Sequence, residues 1–260
     1  MKNMRKLKLG SVLIGSALLL ISQSSLADIV INGTRVIYPE KEKEVNVRLT
    51  NEGTRPLLVQ SWLDKGAAQE SPENINVPFI INPPVSRIDA KKGQVLRISY
   101  LKGDLPKDRE SIFYLNVLEV PPKMKAQAAD KKSESDAAVK VDETSASRLQ
   151  LAFRTRIKLF WRPDSVAAQP MAEQVKKIDW KIINGASGWA VKAVNNSPYY
   201  FTFSQIKVDG QPIAVGMVAP MSSAEFSPAS KTEKPAGSKI EFSWINDYGS
   251  DIDATAAITR

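Results

Sequence analysis

The sequence of 260 residues contains neither cysteine nor histidine. Their absence excludes zinc sites built from these residues, thiol nucleophiles and catalytic triads that depend on histidine. It also excludes disulfide bonds, so packing alone has to stabilise the folded chain. Most common hydrolase mechanisms are therefore unavailable, and we expect a protein that is not an enzyme and that uses no cofactor or metal.

Long apolar runs are also scarce, and the clearest one, SVLIGSALLLI, lies at residues 11–21. Four lysine or arginine residues precede it, and the small residues Ser25 and Ala27 follow it. This pattern predicts a secretory signal peptide over residues 1–27 that is cleaved after Ala27. A retained membrane anchor is the alternative, but the run is shorter than the roughly 20 residues that a membrane-spanning helix needs.

The excess of positive charge is modest. The net charge of the chain is +8, and four of these excess charges lie in the predicted signal peptide. The remaining lysine and arginine residues alternate with aspartate and glutamate, and no basic stripe with interleaved aromatic residues occurs. We therefore expect no nucleic acid as a partner. Nor does any motif indicate a small-molecule substrate, so the expected partners are other proteins.

The pattern that is present from residue 28 to residue 122 consists of short alternating runs separated by turn-forming residues. Val45, Val47 and Leu49, for example, alternate with polar or charged neighbours. Such runs, with no long helical period between them, predict an all-β sandwich.

Residues 148–163 read RLQLAFRTRIKLFWRP and carry the clearest strand pattern. One two-residue phase is apolar and the other carries cations, which predicts a strand near residues 148–160 with an apolar and a basic face. The preceding residues 123–147 contain no aromatic residue, and five lysines balance five acidic residues there. This composition predicts a long, solvated loop directly before the strand.

After Pro163, a polar connector rich in alanine leads to a second series of alternating runs. One of these runs places three large apolar residues on the same face: Ile240, Phe242 and Trp244. We expect one sandwich over residues 28–163, a second and smaller one over residues 164–260, and a hinge close to Pro163.

Two sets of residues match catalytic or metal-binding patterns weakly. Ser204 and Lys207 fit the S-x-x-K pattern, which needs a helical turn to bring both side chains together, but they lie in a predicted strand. Asp247, Asp251 and Asp253 form an acidic cluster whose spacing fits no EF-hand loop. We attribute both matches to chance.

Arg35 lies on the first predicted strand and Lys158 on the last strand of the first sandwich, and these cations allow two interpretations. Cations on strands usually face solvent or protect an edge from aggregation. Alternatively, the two strands meet near the hinge and direct both cations into the cleft between the sandwiches, where they would bind a carboxylate. The residues alone leave both interpretations open.

Several segments, in the same order along the chain, are similar to those of a known family: NGTRVIYP, KDRESIFYLNVLEVPP, IKLFWRP and INDYG. Behind a signal peptide, they resemble the PapD-like periplasmic chaperones of the chaperone–usher pilus pathway. The resemblance implies two immunoglobulin-like domains in an L-shaped arrangement and a location in the periplasm. It also implies that the protein binds pilus or fimbrial subunits by donor-strand complementation and delivers them to an outer-membrane usher.

The resemblance further implies roles for individual residues. Two cations match those that anchor the C-terminal carboxylate of the subunit: Arg35 and Lys158. Three apolar residues match those of the donor strand that fill the groove of the subunit: Leu149, Leu151 and Phe153. Three charged residues match a salt-bridge set that fixes the angle between the domains: Glu110, Arg162 and Asp247.

Several points stay open. Val139 and Val141 share the phase of Leu149 and would lengthen the donor strand, but polar residues interrupt the row. The loop is longer than in short-loop members of the family and lacks the paired cysteines of long-loop members, so both subfamilies remain open. An exposed edge would also allow a self-capped dimer of the free protein. Competing functions are a two-domain surface adhesin built on the same sandwiches and an exported hydrolase.

Overall fold

The computed structural model describes residues 28–120, 151–185, 188–230, 233–235 and 239–259. Within these ranges no helix is long and apolar enough to cross a membrane. Four features named above lie outside them: the signal peptide, the long loop, Leu149, and the valine pair Val139 and Val141.

The first sandwich is formed by strands from residue 29 to residue 162. They are β1 (Ile29–Ile31), β2 (Arg35–Pro39), β3 (Glu44–Asn51), β4 (Leu57–Asp64), β5 (Phe79–Asn82), β6 (Val85–Ile88), β7 (Gly93–Tyr100), β8 (Ser111–Val120) and β9 (Arg154–Arg162), with a 3-10 turn at Pro72–Asn74. One sheet has the order β1-β3-β7-β5, and the other has the order β2-β9-β8-β4-β6. The alternating runs of the sequence therefore form two sheets, as predicted.

The core of this sandwich lies between the two sheets. Each sheet contributes the apolar residues of one strand face, because side chains two residues apart point the same way. The residues that are fully buried on the two inner faces include Leu49, Leu96, Ile98, Leu115 and Leu159.

The second sandwich follows a helical connector. The connector contains α1 (Asp164–Ala167), α2 (Met171–Gln174) and a 3-10 turn at Val175–Lys177. The strands are β10 (Ile178–Gly185), β11 (Gly188–Asn195), β12 (Phe201–Val208), β13 (Gln211–Pro212), β14 (Met217–Val218), β15 (Ser222–Phe226), β16 (Lys239–Ile245) and β17 (Asp251–Thr259). They pair in the order β13-β12-β16-β17-β10-β11-β15, and β14 also pairs with β12.

The connector is more ordered than its polar composition suggests. The hydroxyl group of Tyr199 donates hydrogen bonds to the carbonyl oxygens of Val166 and Gln169, at 2.8 and 2.7 Å. Val166 is buried in the same cluster as the aromatic residues of the second sandwich. Helix α1 and the residues that follow it are therefore fixed to the second sandwich by a side chain from beyond Asn195.

Strand β9 differs from the predicted strand near residues 148–160. It begins at Arg154 and ends at Arg162, and residues 151–153 carry no strand assignment. Its antiparallel partner β8 ends at Val120 and is followed in the sequence by two prolines, which have no N–H group to continue a ladder. One further backbone hydrogen bond, from Glu119 N to Phe153 O at 2.9 Å, extends the contact beyond the strand.

Each sandwich contains a buried asparagine that closes the end of a strand in the same way. Asn51 ends β3 and Asn195 ends β11, and both are fully buried. In each case the side-chain amide donates to the carbonyl oxygen four residues later, at 2.8 and 2.7 Å, and to a second carbonyl oxygen at 2.9 Å. The side-chain oxygen accepts from the N–H group two residues later, at 2.9 and 3.0 Å.

We expect Asn51→Ala and Asn195→Ala each to lower the free energy of unfolding by about 1–3 kcal/mol, because each change leaves buried backbone groups without a partner. Urea denaturation would measure this loss. Asn32→Ala, at an exposed position, serves as the control and should change the free energy by less than about 0.5 kcal/mol. A loss as small as that of the control at both buried positions would contradict this account.

Candidate functional site

Strand β9 has two strand neighbours over only part of its length. It pairs with β8 from Arg154 to Trp161 and with β2, in parallel, from Lys158 to Arg162. Within the part of the chain that the structure describes, residues 154–157 therefore have a strand on one side only. The opposite edge presents backbone N–H and C=O groups to which another strand can pair.

The apolar face of β9 extends beyond the core of the first sandwich. Leu159 and Trp161 are fully buried, and Ile157 is partly buried against the same core. The same two-residue phase continues towards the amino terminus with Phe153, which is half-buried, and with Leu151, which is 51% exposed. The same row of side chains thus belongs to the core at the end near Trp161 and forms exposed apolar surface at the end near Leu151.

The opposite face of β9 brings the two predicted cations together. Arg35 and Lys158 are direct partners in the β2–β9 ladder. Lys158 Nζ donates to Thr202 Oγ1 at 2.9 Å, and Arg35 Nη1 donates to the carbonyl oxygen of Ile245 at 3.1 Å. Both acceptors belong to the second sandwich, so the cations lie between the two sandwiches and do not simply face solvent.

Both cations are poorly solvated. Burial lowers the pKa of Arg35, although nearby carboxylates partly oppose this effect, and burial together with the charge of Arg35 lowers the pKa of Lys158. Arg35 Nε is buried and has no hydrogen-bond partner among the described residues. Two desolvated positive charges with a spare donor form a site that an anion such as a carboxylate would satisfy.

The three residues of the predicted salt-bridge set also meet. Arg162 Nε donates to Glu110 Oε1 at 2.8 Å, and the two Nη atoms of Arg162 donate to Asp247 at 2.7 and 2.8 Å. The other oxygen of Glu110 accepts from the backbone N–H group of Tyr200 at 2.8 Å. Because Asp247 and Tyr200 belong to the second sandwich, the network joins the two sandwiches directly.

This network lies in a largely dehydrated environment. Burial raises the pKa of Glu110 to about 7, because the loss of hydration outweighs the attraction of Arg162. Burial on its own would lower the pKa of Arg162, but the hydrogen bonds and charges of Asp247 and Glu110 outweigh it and raise this pKa. The arginine is therefore a permanent cation between two carboxyl groups.

Two further contacts at the junction were not found from the sequence. Phe160, on the basic face of β9, packs against Tyr200 with ring centroids 5.8 Å apart. Gly249, in the turn after Asp247, has φ +85°, and any Cβ atom there would collide with the side chain of Thr34. The glycine of the INDYG segment thus allows the turn to approach β2 closely.

The residues of the two weak motifs serve other contacts. Ser204 Oγ donates to Asp251 Oδ1 at 2.5 Å, and Ser243 Oγ donates to Asp253 Oδ1 at 2.6 Å. Asp247 is bound to Arg162 instead. Among the described residues, no three acidic, histidine or cysteine side chains are grouped as a metal site would need.

Comparison with known families decides what kind of fold this is. The family model of the PapD amino-terminal domain, described as a pili and flagellar-assembly chaperone, matches residues 28–167, and the model of the carboxy-terminal domain of the pili assembly chaperone PapD matches residues 173–256. The chain belongs to the PapD family of pilus-assembly chaperones. The family resemblance and the architecture of two immunoglobulin-like domains are thereby confirmed.

Related proteins match nearly the whole length of this PapD-family chain. The probable fimbrial chaperone YadV of Escherichia coli strain K12 is 46% identical over 243 residues, which are 91% of this chain and 92% of that protein. The chaperone protein HifB of Haemophilus influenzae is 38% identical over 235 residues, which are 90% of this chain and 89% of that protein. Since the family consists of assembly chaperones, the protein is a binding protein and not an enzyme.

Solved structures agree with this assignment to the PapD family. The crystal structure of the YadV chaperone is similar with a TM-score of 0.70 and 42% identity, and the match covers 89% of this chain and 100% of that one. A chain in the structure of the Salmonella enterica SafA pilin in complex with the SafB chaperone is similar with a TM-score of 0.69 and 26% identity, over 90% of this chain and 98% of that one.

We expect Arg162→Ala to lower the free energy of unfolding by about 3–5 kcal/mol, because it leaves the buried carboxyl group of Glu110 without its cation. Urea denaturation monitored by tryptophan fluorescence would measure the loss. Arg109→Ala removes a surface ion pair with Asp108 and should cost less than about 1 kcal/mol. Equal costs for the two variants would contradict a stabilising role of the buried network.

Proposed function

We propose that this protein is a periplasmic chaperone that stabilises pilus or fimbrial subunits by donor-strand complementation and delivers them to an outer-membrane usher. The observation that carries the proposal is the apolar face of β9, which leaves its own core beside an edge that has no strand partner among the described residues. A subunit that lacks its final strand would pair with this edge and accept the exposed side chains in its groove.

The donor segment has enough apolar surface for this task. Leu151, which is exposed, and Phe153, which is half-buried, continue the core row, and Leu149 has the same phase in the sequence. At roughly 1.5–3 kcal/mol for each fully buried side chain, the three residues would contribute on the order of 5–9 kcal/mol before the costs of ordering both partners. The backbone hydrogen bonds along the strand edge and the contacts to the carboxylate would add to this contribution.

The cation pair would fix the register of this complex. A shift of one residue would turn the apolar row of the donor segment away from the groove. A C-terminal carboxylate of the subunit that is bound by Arg35 and Lys158 would place the end of the subunit at one point of the ladder. The unpartnered Nε of Arg35 and the absence of an ion pair for either cation among the described residues support this role.

Location and further partners follow from the same proposal. The predicted signal peptide over residues 1–27 would export the chain to the periplasm, where fimbrial subunits pass on their way to the usher. The solved complex of the Salmonella enterica SafA pilin with the SafB chaperone supports subunits as partners. Without a subunit, the same edge of a second copy would cover the donor segment in a self-capped dimer.

We expect Lys158→Ala to leave the fold intact but to reduce at least tenfold the amount of subunit recovered with the chaperone from the periplasm. The charge of Lys158 is poorly solvated, so its removal should not lower the melting temperature, whereas the carboxylate would lose one of its two cations. Co-purification followed by mass spectrometry measures the recovery.

The exposed lysine Lys181 on β10 provides the control, and Lys181→Ala should give the recovery of the unchanged protein. Should Lys158→Ala also retain that recovery, the anchoring role of the cation pair would be wrong.

A further inference from the structure

The side chain of Arg156 on β9 forms an ion pair that reaches across the neighbouring strand β8. It lies on the basic face of β9, between Lys158 and the exposed end of the strand. Its guanidinium group donates to both oxygens of Asp64 on β4, with Nε–Oδ2 at 3.1 Å and Nη2–Oδ1 at 2.5 Å. Because β8 lies between β4 and β9, this ion pair connects β9 to β4, which is the second strand from it in the sheet.

The surroundings of the pair keep both side chains in place. Arg156 Cζ lies 3.7 Å from the ring centroid of Tyr114 on β8, in cation–π contact. Asp64 is only 1% exposed, and its oxygens also accept hydrogen bonds from Asn116 Nδ2 at 2.7 Å and from Gly66 N at 2.6 Å. Burial pushes the pKa of Asp64 up, but these donors and Arg156 outweigh it and hold the pKa below its usual value. The carboxylate is therefore charged and fully engaged.

The ion pair of Arg156 and Asp64 lies at the part of β9 that, among the described residues, has a neighbouring strand on one side only. Residues 154–157 have β8 on one side and, among the described residues, no strand on the other, whereas β2 supports the strand from Lys158 onward. The next cation of the same face, Arg154, is exposed. Among the described residues, Arg156 is thus the last one towards the amino terminus of β9 whose side chain makes a polar contact with the sheet before the apolar row leaves the core.

We propose that Arg156 is a positioning residue for subunit binding: its pair with Asp64 holds residues 154–157 against β8 and so fixes the direction in which Phe153 and Leu151 leave the domain. This inference rests on the proposed function, since it gives the residue a role in presenting the donor segment. The side chain of Arg156 lies on the face of β9 opposite to the apolar row, and it precedes Lys158 by two residues on the same face.

The test compares Arg156→Met with Arg154→Met, which removes the same charge from the same face two residues away. The probe is the subunit that co-purifies with the unchanged chaperone. Titration should show about tenfold weaker binding to Arg156→Met and less than about twofold weaker binding to Arg154→Met. Amide hydrogen exchange of residues 154–157 should become about tenfold faster in Arg156→Met, while the amides of the second sandwich stay unchanged.

A second variant covers the case in which Arg156→Met unfolds because Asp64 is left as a buried, unpaired charge. The double variant Arg156→Met with Asp64→Asn removes both charges. It should fold, because Asn116 Oδ1 has no hydrogen-bond partner among the described residues and can accept from the new amide once the side-chain amide of Asn116 turns over. We expect the double variant to bind the subunit about tenfold more weakly than the unchanged protein, like the single variant.

The possible results separate the two proposals. Unchanged affinity and unchanged exchange in a folded Arg156→Met or in the double variant would overturn the positioning role and leave the chaperone function standing. An equal loss of affinity in Arg154→Met would also overturn it, since charge and not position would then matter. If the unchanged protein captures no subunit at all, the proposed function itself is contradicted.

Discussion

A β-strand turns every second side chain to the same face, and strand β9 is under this constraint along its whole length. Trp161 and Leu159 are fully buried in the first sandwich, and their packing fixes which face of the strand is apolar. Residues 151–153 precede the strand, but the backbone hydrogen bond from Glu119 N to Phe153 O extends its contact with β8 by one residue, and Phe153 and Leu151 keep the two-residue phase of the row. The packing of the first sandwich therefore sets which face of β9 continues into the proposed donor segment.

The electrostatics of the junction depend on which of the three cations binds the two carboxyl groups. Five ionisable side chains come close together between the sandwiches, and Arg162 binds both carboxyl groups, those of Glu110 and Asp247. Arg35 and Lys158 are left with neutral acceptors, a carbonyl and a hydroxyl group. The same network that joins the two sandwiches thus leaves Arg35 and Lys158 without an ion pair among the described residues, as the proposed carboxylate site requires.

The sequence was informative wherever local periodicity decides the structure. The alternation around Val47 and Leu49 predicted strands with one buried face, and the family motifs placed Glu110, Arg162 and Asp247 in one network, as the structure has them. The pair of Arg156 and Asp64 was not predictable in this way, because 92 residues separate its members and a third strand lies between them. The buried asparagines were missed because an Asn at a strand end reads locally as part of an exposed turn, and only tertiary contacts bury it.

The central claim is that residues 149–153 complete the fold of another protein. A crystal structure of the chaperone with the subunit that co-purifies with it tests this claim most directly. The account predicts Leu149, Leu151 and Phe153 in a groove of the subunit, backbone hydrogen bonds along the edge of β9 opposite β8, and the subunit carboxylate within hydrogen-bond distance of Arg35 and Lys158. Those three side chains turned into the chaperone's own sandwich, with both cations far from any carboxylate of the subunit, would contradict it.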